Sequence, residues 1–162
     1  MSFQVHALKE SDFSEYLTLS ENELKSRNAM TVVVDEFPGF TCRVSLKDVE
    51  VGETVLLVNY QHMQHESPYQ STHAIYVKPE AKQIILAENE LPDSILSRLI
   101  SLRGFDRKGM LKNAEVAEGP KVAAMISEVF TDTDIEFIHL HNAKYGCYAA
   151  RVTRGTRLLS LV

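Results

Sequence analysis

Two histidines, a cysteine and an arginine fall close together in the stretch Phe137 to Val152, FIHLHNAKYGCYAARV. His139 and His141 are two apart, so on a β-strand their rings point the same way. A pair so placed can share a divalent cation, with His73 or Cys147 as a third ligand. Cys147 beside imidazoles can also act as a thiolate nucleophile, with His139 or His141 as base. Gly146 just before it permits a close backbone approach. His139, His141 and Cys147 are therefore the candidate catalytic residues. Against a metal, no Asp or Glu stands nearby at a recognised ligand spacing, and the glutamate that follows H-x-H in cupin-like sites is missing. The expectation is neutral, hydrogen-bonded histidines, no metal ligands and no stoichiometric zinc. For Cys147 the plain alternative is a buried, inert thiol.

The stretch reads as a β-hairpin closed by Asn142-Ala-Lys-Tyr-Gly146, with Gly146 in a left-handed position. Its register decides which side chains meet, because a one-residue slip swaps faces. Pairing His141 with Cys147 places His139 opposite Ala149 and Phe137 opposite Arg151. That register gathers His139, His141, Cys147 and Arg151 on one face. It leaves Ile138, Leu140, Tyr148, Ala150 and Val152 on an apolar face that can bury, so it is the expected one.

Further polar groups fall where they can face the same cleft. Arg151 and Arg43 lie in strand-like segments, as do Arg98 and Arg103, and such arginines need an acid or an anionic ligand. Asp106 or Glu136 could supply the acid. Asn59 and Tyr60 end an apolar strand, where polar groups often face a cleft. Tyr69, His73 and Asn142 complete the candidate ligand-binding set.

The elements that must position these groups follow from periodicity and punctuation. Ser2 to Leu8 suits a first strand, and DFSEYL after Ser11 a helical turn. Ser20 and Glu23 form a capping box opening a helix to about Arg27. Met30 to Val34 reads as a strand, followed by a Phe37-Pro38-Gly39 turn. Phe40 to Leu46 alternates apolar and polar residues as a half-buried strand does, with Cys42 in the apolar phase. Thr54 to Tyr60 is apolar on both faces and suits a central strand. A polar loop from Gln61 to Thr72, carrying His62 and His65, leads to a strand from His73 to Lys78. Lys82 to Leu86 suits a short edge strand, and Pro92-Asp93 a helical turn. Arg98 to Phe105 fits a strand better than a helix, because Asp106 to Gly109 then turns into Met110 to Ala117. Gly119-Pro120 opens the principal helix, to about Thr131, with Val122, Met125, Ile126, Val129 and Phe130 on one face. The tail after Val152 is apolar enough to pair or dock. The fold class is α+β: one domain over residues 1–162, an antiparallel or mixed sheet with one main helix (about 120–131) and short N-terminal helices packed on it.

Composition narrows the function classes. A chain of 162 residues with 44% hydrophobic side chains can bury a core without disulfide or metal. Its net charge is -5, and Met1 to Glu53, with 5 basic and 10 acidic residues, accounts for all of it. That balance is wrong for a nucleic-acid backbone binder. No acid follows Glu136, while Lys144, Arg151, Arg154 and Arg157 do, which suits a solvated rim or a small anion. No apolar run reaches the length of a membrane span. Met1 to Lys9 lacks the pattern of a signal peptide, so a cytoplasmic location, reduced thiols and no Cys42–Cys147 bridge are expected. There is no Gly-rich phosphate loop, no G-x-S-x-G and no C-x-x-C, hence no cofactor expectation.

PGFTCRVSL (Pro38 to Leu46), VLLVNYQH (Val55 to His62), SPYQSTHAIYV (Ser67 to Val77) and HLHNAKYGCYAARV (His139 to Val152) together resemble one bacterial family, domain-of-unknown-function family twelve hundred and three. The resemblance runs to about Arg154 and implies a stand-alone bacterial protein with no assigned activity. It brings no catalytic or binding residues with it. The functional expectation therefore rests on the residues: a domain binding a small polar or anionic molecule, catalytic or not, at a His/Cys/Arg site on the 137–152 hairpin. A non-enzymatic protein-interaction module is the alternative, and a concave rather than flat site separates the two.

Overall fold

The computed structural model describes residues 1–156. Thr153 and Arg154 of the tail belong to the last strand, and the expectation for residues 157–162 lies outside the described residues. Two antiparallel sheets form, where the sequence suggested one. The first has the order β1 (Phe3–His6), β8 (Tyr148–Arg154), β7 (Phe137–Asn142), β5 (Leu99–Phe105), β6 (Leu111–Glu118). The second has the order β2 (Ala29–Val33), β3 (Thr54–Met63), β4 (Ser71–Val77).

The helices follow their signals. Ser20 caps α1 (Glu21–Ser26), accepting from the Glu23 amide while the Glu23 carboxylate accepts from the Ser20 amide. A helical turn, α2 (Asp93–Leu96), precedes β5. Gly119–Lys121 makes a tight turn that runs into α3 (Val122–Val129). Val122, Ile126, Val129 and Phe130 are buried, as the helical spacing requires, against Ile100, Leu102, Ile138, Leu140, Ala150 and Val152 of the first sheet. Each large side chain so buried contributes on the order of 1.5–3 kcal/mol. Gly104 in β5 lets helix and sheet approach closely. A Cβ there would stand 2.9 Å from Ile135 Cδ1 and 3.2 Å from Val129 Cγ1. Arg154 ties the end of the helix down, donating to the carbonyls of Phe130 (2.7 Å), Asp132 (2.9 Å) and Ile135 (3.1 Å). That use of a basic side chain at a helix C-terminus is structural.

Three expectations change. Phe40 to Leu46 is not a strand. Cys42 and Val44 are fully buried in phase, but so are Thr41 and Arg43, because the segment lies between the two sheets. It folds back on itself, Leu46 donating to the Cys42 carbonyl and Cys42 to that of Lys47. Lys82 to Leu86 makes only an isolated bridge, Ile85 with His6. The Gln61 to Thr72 loop is shorter than expected, because β3 continues to Met63 and β4 starts at Ser71. The last change places His62 on a strand. Both cysteines are free thiols. Among the described residues no helix is long and apolar enough to cross a membrane.

Candidate functional site

The site grows from the β7–β8 hairpin. Gly146 takes φ 77, and its amide donates to the Asn142 carbonyl, closing the turn as expected. The register is not the expected one. Phe137 pairs with Thr153, His139 with Arg151 and Leu140 with Ala150; then His141 pairs with Tyr148, leaving Ala149 as an extra residue. This β-bulge decides the chemistry. Tyr148 and Arg151 are three apart, so a regular strand would put them on opposite faces. The extra residue brings both onto the face of the histidines and carries Cys147 away.

β5 completes this face on the other side of β7, with Ser101 opposite His141, Arg103 opposite His139 and Phe105 opposite Phe137. Three rows result: Ser101–His141–Tyr148, Arg103–His139–Arg151 and Phe105–Phe137–Thr153. The end of β3 lies across them. His62 stacks on Tyr148 with ring centroids 4.9 Å apart, and Met63 packs with Phe105 and Phe137. The second sheet thus covers part of the first and adds His62 to it, with His73 of β4 behind.

His62, His139 and His141 each offer a ring nitrogen, and these atoms all lie within 4.8 Å of one another. His62 Nδ1 is 3.3 Å from His139 Nδ1, and His62 Nε2 is 2.7 Å from His73 Nδ1. His141 Nδ1 is 2.9 Å from the Gly146 carbonyl, so it carries the proton and Nε2 keeps its lone pair. That Nε2 is buried without a partner. Burial, with neighbouring positive groups adding to it, lowers the pKa of His62 to about 4, of His139 to about 2 and of His141 to about 3. In His141 the Gly146 bond works the other way, and burial outweighs it. All three are neutral at physiological pH. His73 is lowered too, by burial and then by Arg103.

A pocket of about 220 Å³ opens beside the cluster, with His62, His139, Tyr60, Tyr148, His65 and Arg151 among its walls. The Arg151 guanidinium lies over the Phe137 ring at 4.2 Å, and its Nε is buried without a partner. Neither Arg103 nor Arg151 is in an ion pair among the described residues. Buried polar atoms are nearly always satisfied in folded proteins. Among the described residues three such side-chain atoms are orphaned, and two of them, His141 Nε2 and Arg151 Nε, are here.

Of the sequence candidates, the structure brings together His139, His141, Arg151, Tyr60 and His73. It leaves five elsewhere. The Cys147 thiol accepts from Arg43 Nη2 (3.4 Å) and Asn142 Nδ2 (3.3 Å) and bonds to no histidine. The Cys–His pair that nucleophilic catalysis requires is not formed. Arg43 is buried and bonded to the carbonyls of Tyr148 and Thr41. Asn142 follows His141 and so points to the opposite face, toward Arg43. Asn59 lines a separate groove on the far side of β3, with Met30 and Ala74. Tyr69 is exposed beside Phe105. His62 and Tyr148 join the site without having been candidates for it, and so does Arg103, which the sequence offered only as one of four arginines in strand-like segments. Val58, Tyr60 and His62 continue one alternation along β3, and that parity was the available signal for His62.

A search of curated proteins found no match, and neither did a search of solved structures. A family model matches residues 39–154, which include β3 to β8 and all three clustered histidines. The chain belongs to the family described as "Protein of unknown function (DUF1203)".

Proposed function

We propose that the histidine-lined pocket binds a small anionic molecule. The observation that carries this is Arg151, which walls the pocket with a buried Nε that has no partner among the described residues. Arg103 adds a second positive charge on the other side of His139, and no carboxylate pairs with either among the described residues. A guanidinium in a partly dry cleft is suited to a carboxylate or phosphate, which can take two of its hydrogen bonds at once. The neutral imidazoles and the Tyr60 and Tyr148 hydroxyls offer further hydrogen bonds. The site is concave, which favours this reading over a flat protein-interaction face.

A thermal-shift titration tests it. Inorganic phosphate and small carboxylates should raise the melting temperature above a chloride control of equal ionic strength. At a hundredfold excess over Kd the gain is about 2.7 kcal/mol. For a chain of this size that is on the order of 5–10 °C. Arg151→Leu should abolish the shift. An anion effect no larger than that of chloride, or one surviving in Arg151→Leu, would overturn the reading.

A further inference from the structure

We propose that His62, His139 and His141 form a three-histidine site for a divalent transition-metal cation of the zinc type, with its open position facing the pocket. The sequence argued against a metal because no Asp or Glu stood at a recognised ligand spacing to serve as the third ligand. The fold supplies one from another sheet: His62 comes from β3, His139 and His141 from β7.

The distances suit such an ion. With metal–nitrogen bonds of about 2.0–2.1 Å, tetrahedral ligand atoms stand roughly 3.3–3.4 Å apart. His62 Nδ1 and His139 Nδ1 are already 3.3 Å apart, and no ligand atom of the three is beyond 4.8 Å of another. Small ring rotations would close the rest. Two imidazole nitrogens facing each other so closely need a proton or a cation between them.

The outer contacts hold the rings in the tautomers that coordination needs. Ligating histidines characteristically donate their second N–H to a carbonyl or another acceptor. His141 does this through Nδ1 to the Gly146 carbonyl, which aims its unpartnered Nε2 into the cluster. His141 is 0% exposed, so no solvent competes for that lone pair. His62 turns Nδ1 to the cluster, and its Nε2 contacts His73 Nδ1 at 2.7 Å. A set of three neutral nitrogens suits zinc, cobalt, nickel or copper and not magnesium or calcium. Because no carboxylate joins the set, the bound ion keeps its full charge. That charge is matched from the pocket side, where His62 and His139 form part of the wall. The fourth ligand is then an oxygen of the anion proposed above, or water in its absence. Only this last step rests on the anion reading.

The test uses the full-length chain without a histidine tag, stripped with chelator. Co²⁺ added in phosphate-free buffer should give the intense visible bands of a four-coordinate ion, saturating at one per chain, and Zn²⁺ should displace it. His62→Ala, at a half-buried position on the pocket wall, should remove those bands and weaken Zn²⁺ binding by at least about 100-fold. His73→Ala, which changes only the outer contact, should weaken it about 10- to 100-fold. Circular dichroism confirms that each variant is folded. Absence of the Co²⁺ spectrum in the wild-type chain overturns the site, as does unchanged Zn²⁺ affinity in folded His62→Ala. A phosphate titration with chelator present reads the arginine pocket alone. A phosphate shift without Co²⁺ binding therefore sinks the metal and keeps the anion; Co²⁺ binding without any anion shift does the reverse.

Discussion

Two groups of buried polar side chains lie against the β7–β8 hairpin, one on each side, and they are built to opposite rules. On one side Arg43, 2% exposed, spends its donors on the Tyr148 carbonyl, the Thr41 carbonyl and the Cys147 sulfur. Beside it Arg98 grips both oxygens of Asp48 at 2.6 and 3.1 Å, and Thr41 Oγ1 donates to the same carboxylate at 2.8 Å. On the other side, among the described residues, His141 Nε2 and Arg151 Nε have no partner, and Arg103 and Arg151 have no acid. A satisfied buried network rigidifies a fold, while an unsatisfied one costs stability unless something else completes it. Burial and charge are therefore poor guides to function by themselves. The useful signal is what the buried groups lack.

The largest effect is expected at Arg43. Arg43→Ala removes three hydrogen bonds from a charged donor and strands two carbonyls, so it should cost on the order of 3–5 kcal/mol. Urea denaturation measures this, and a loss below about 1 kcal/mol would mean that the network is not holding the sheets together.

The next effect is of pH. Burial sets the folded pKa of His62, His139 and His141 at about 4, 2 and 3, against roughly 6.5 in an unfolded chain. Between those values the unfolded state binds more protons, so stability rises with pH and this contribution is complete above about pH 7. Acidifying metal-free protein from pH 7 to 5 should lower its stability, by up to about 1.4 kcal/mol per pH unit below 6.5 for each fully buried histidine. His62, partly solvated, should contribute less. His139→Phe should flatten the slope between pH 6 and 5; an unaltered slope would show that His139 is not held neutral.

A smaller effect is expected at His141. His141→Leu removes an orphaned nitrogen together with the bond to the Gly146 carbonyl. The two should nearly cancel, leaving stability within about 1 kcal/mol of the wild type. A loss as large as that of Arg43→Ala would place His141 in the structural class. Smallest of all is Cys147→Ser, which keeps an acceptor for Arg43 and Asn142. It should change stability by less than about 0.5 kcal/mol and leave phosphate binding unaltered. Loss of phosphate binding would return Cys147 to the site.

Much of the framework could be read from local pattern. Helix α3 announces itself by its 3.6-residue spacing after Gly119-Pro120, and α1 by its capping box. The strand from Leu99 to Phe105 was indicated by the Asp106 to Gly109 turn behind it. The apolar face of β7 was also legible, because Ile138 and Leu140 alternate. The opposite face was not. An extra residue at Ala149 leaves no mark on composition, and with it Tyr148 rather than Cys147 shares the histidine face with Arg151. His62 was hidden for a related reason. Gln61 and His62 look like loop, and β3 continues through them to Met63, which pairs with Ser71 of β4, a tertiary effect on strand length. Phe40 to Leu46 misled in the other direction, since alternation reports burial and not extension.

His62 and His139 lie 77 residues apart in the chain, on different sheets. Any ion gripped by both is a cross-link, with a loop of that length closed behind it. Such a link removes conformations from the unfolded chain, and by loop-closure arithmetic it is worth about 4–5 kcal/mol where the folded geometry accepts it unstrained. Loading would then act as a staple between the sheets. The same chain would withstand heat and protease differently according to the cation supply around it.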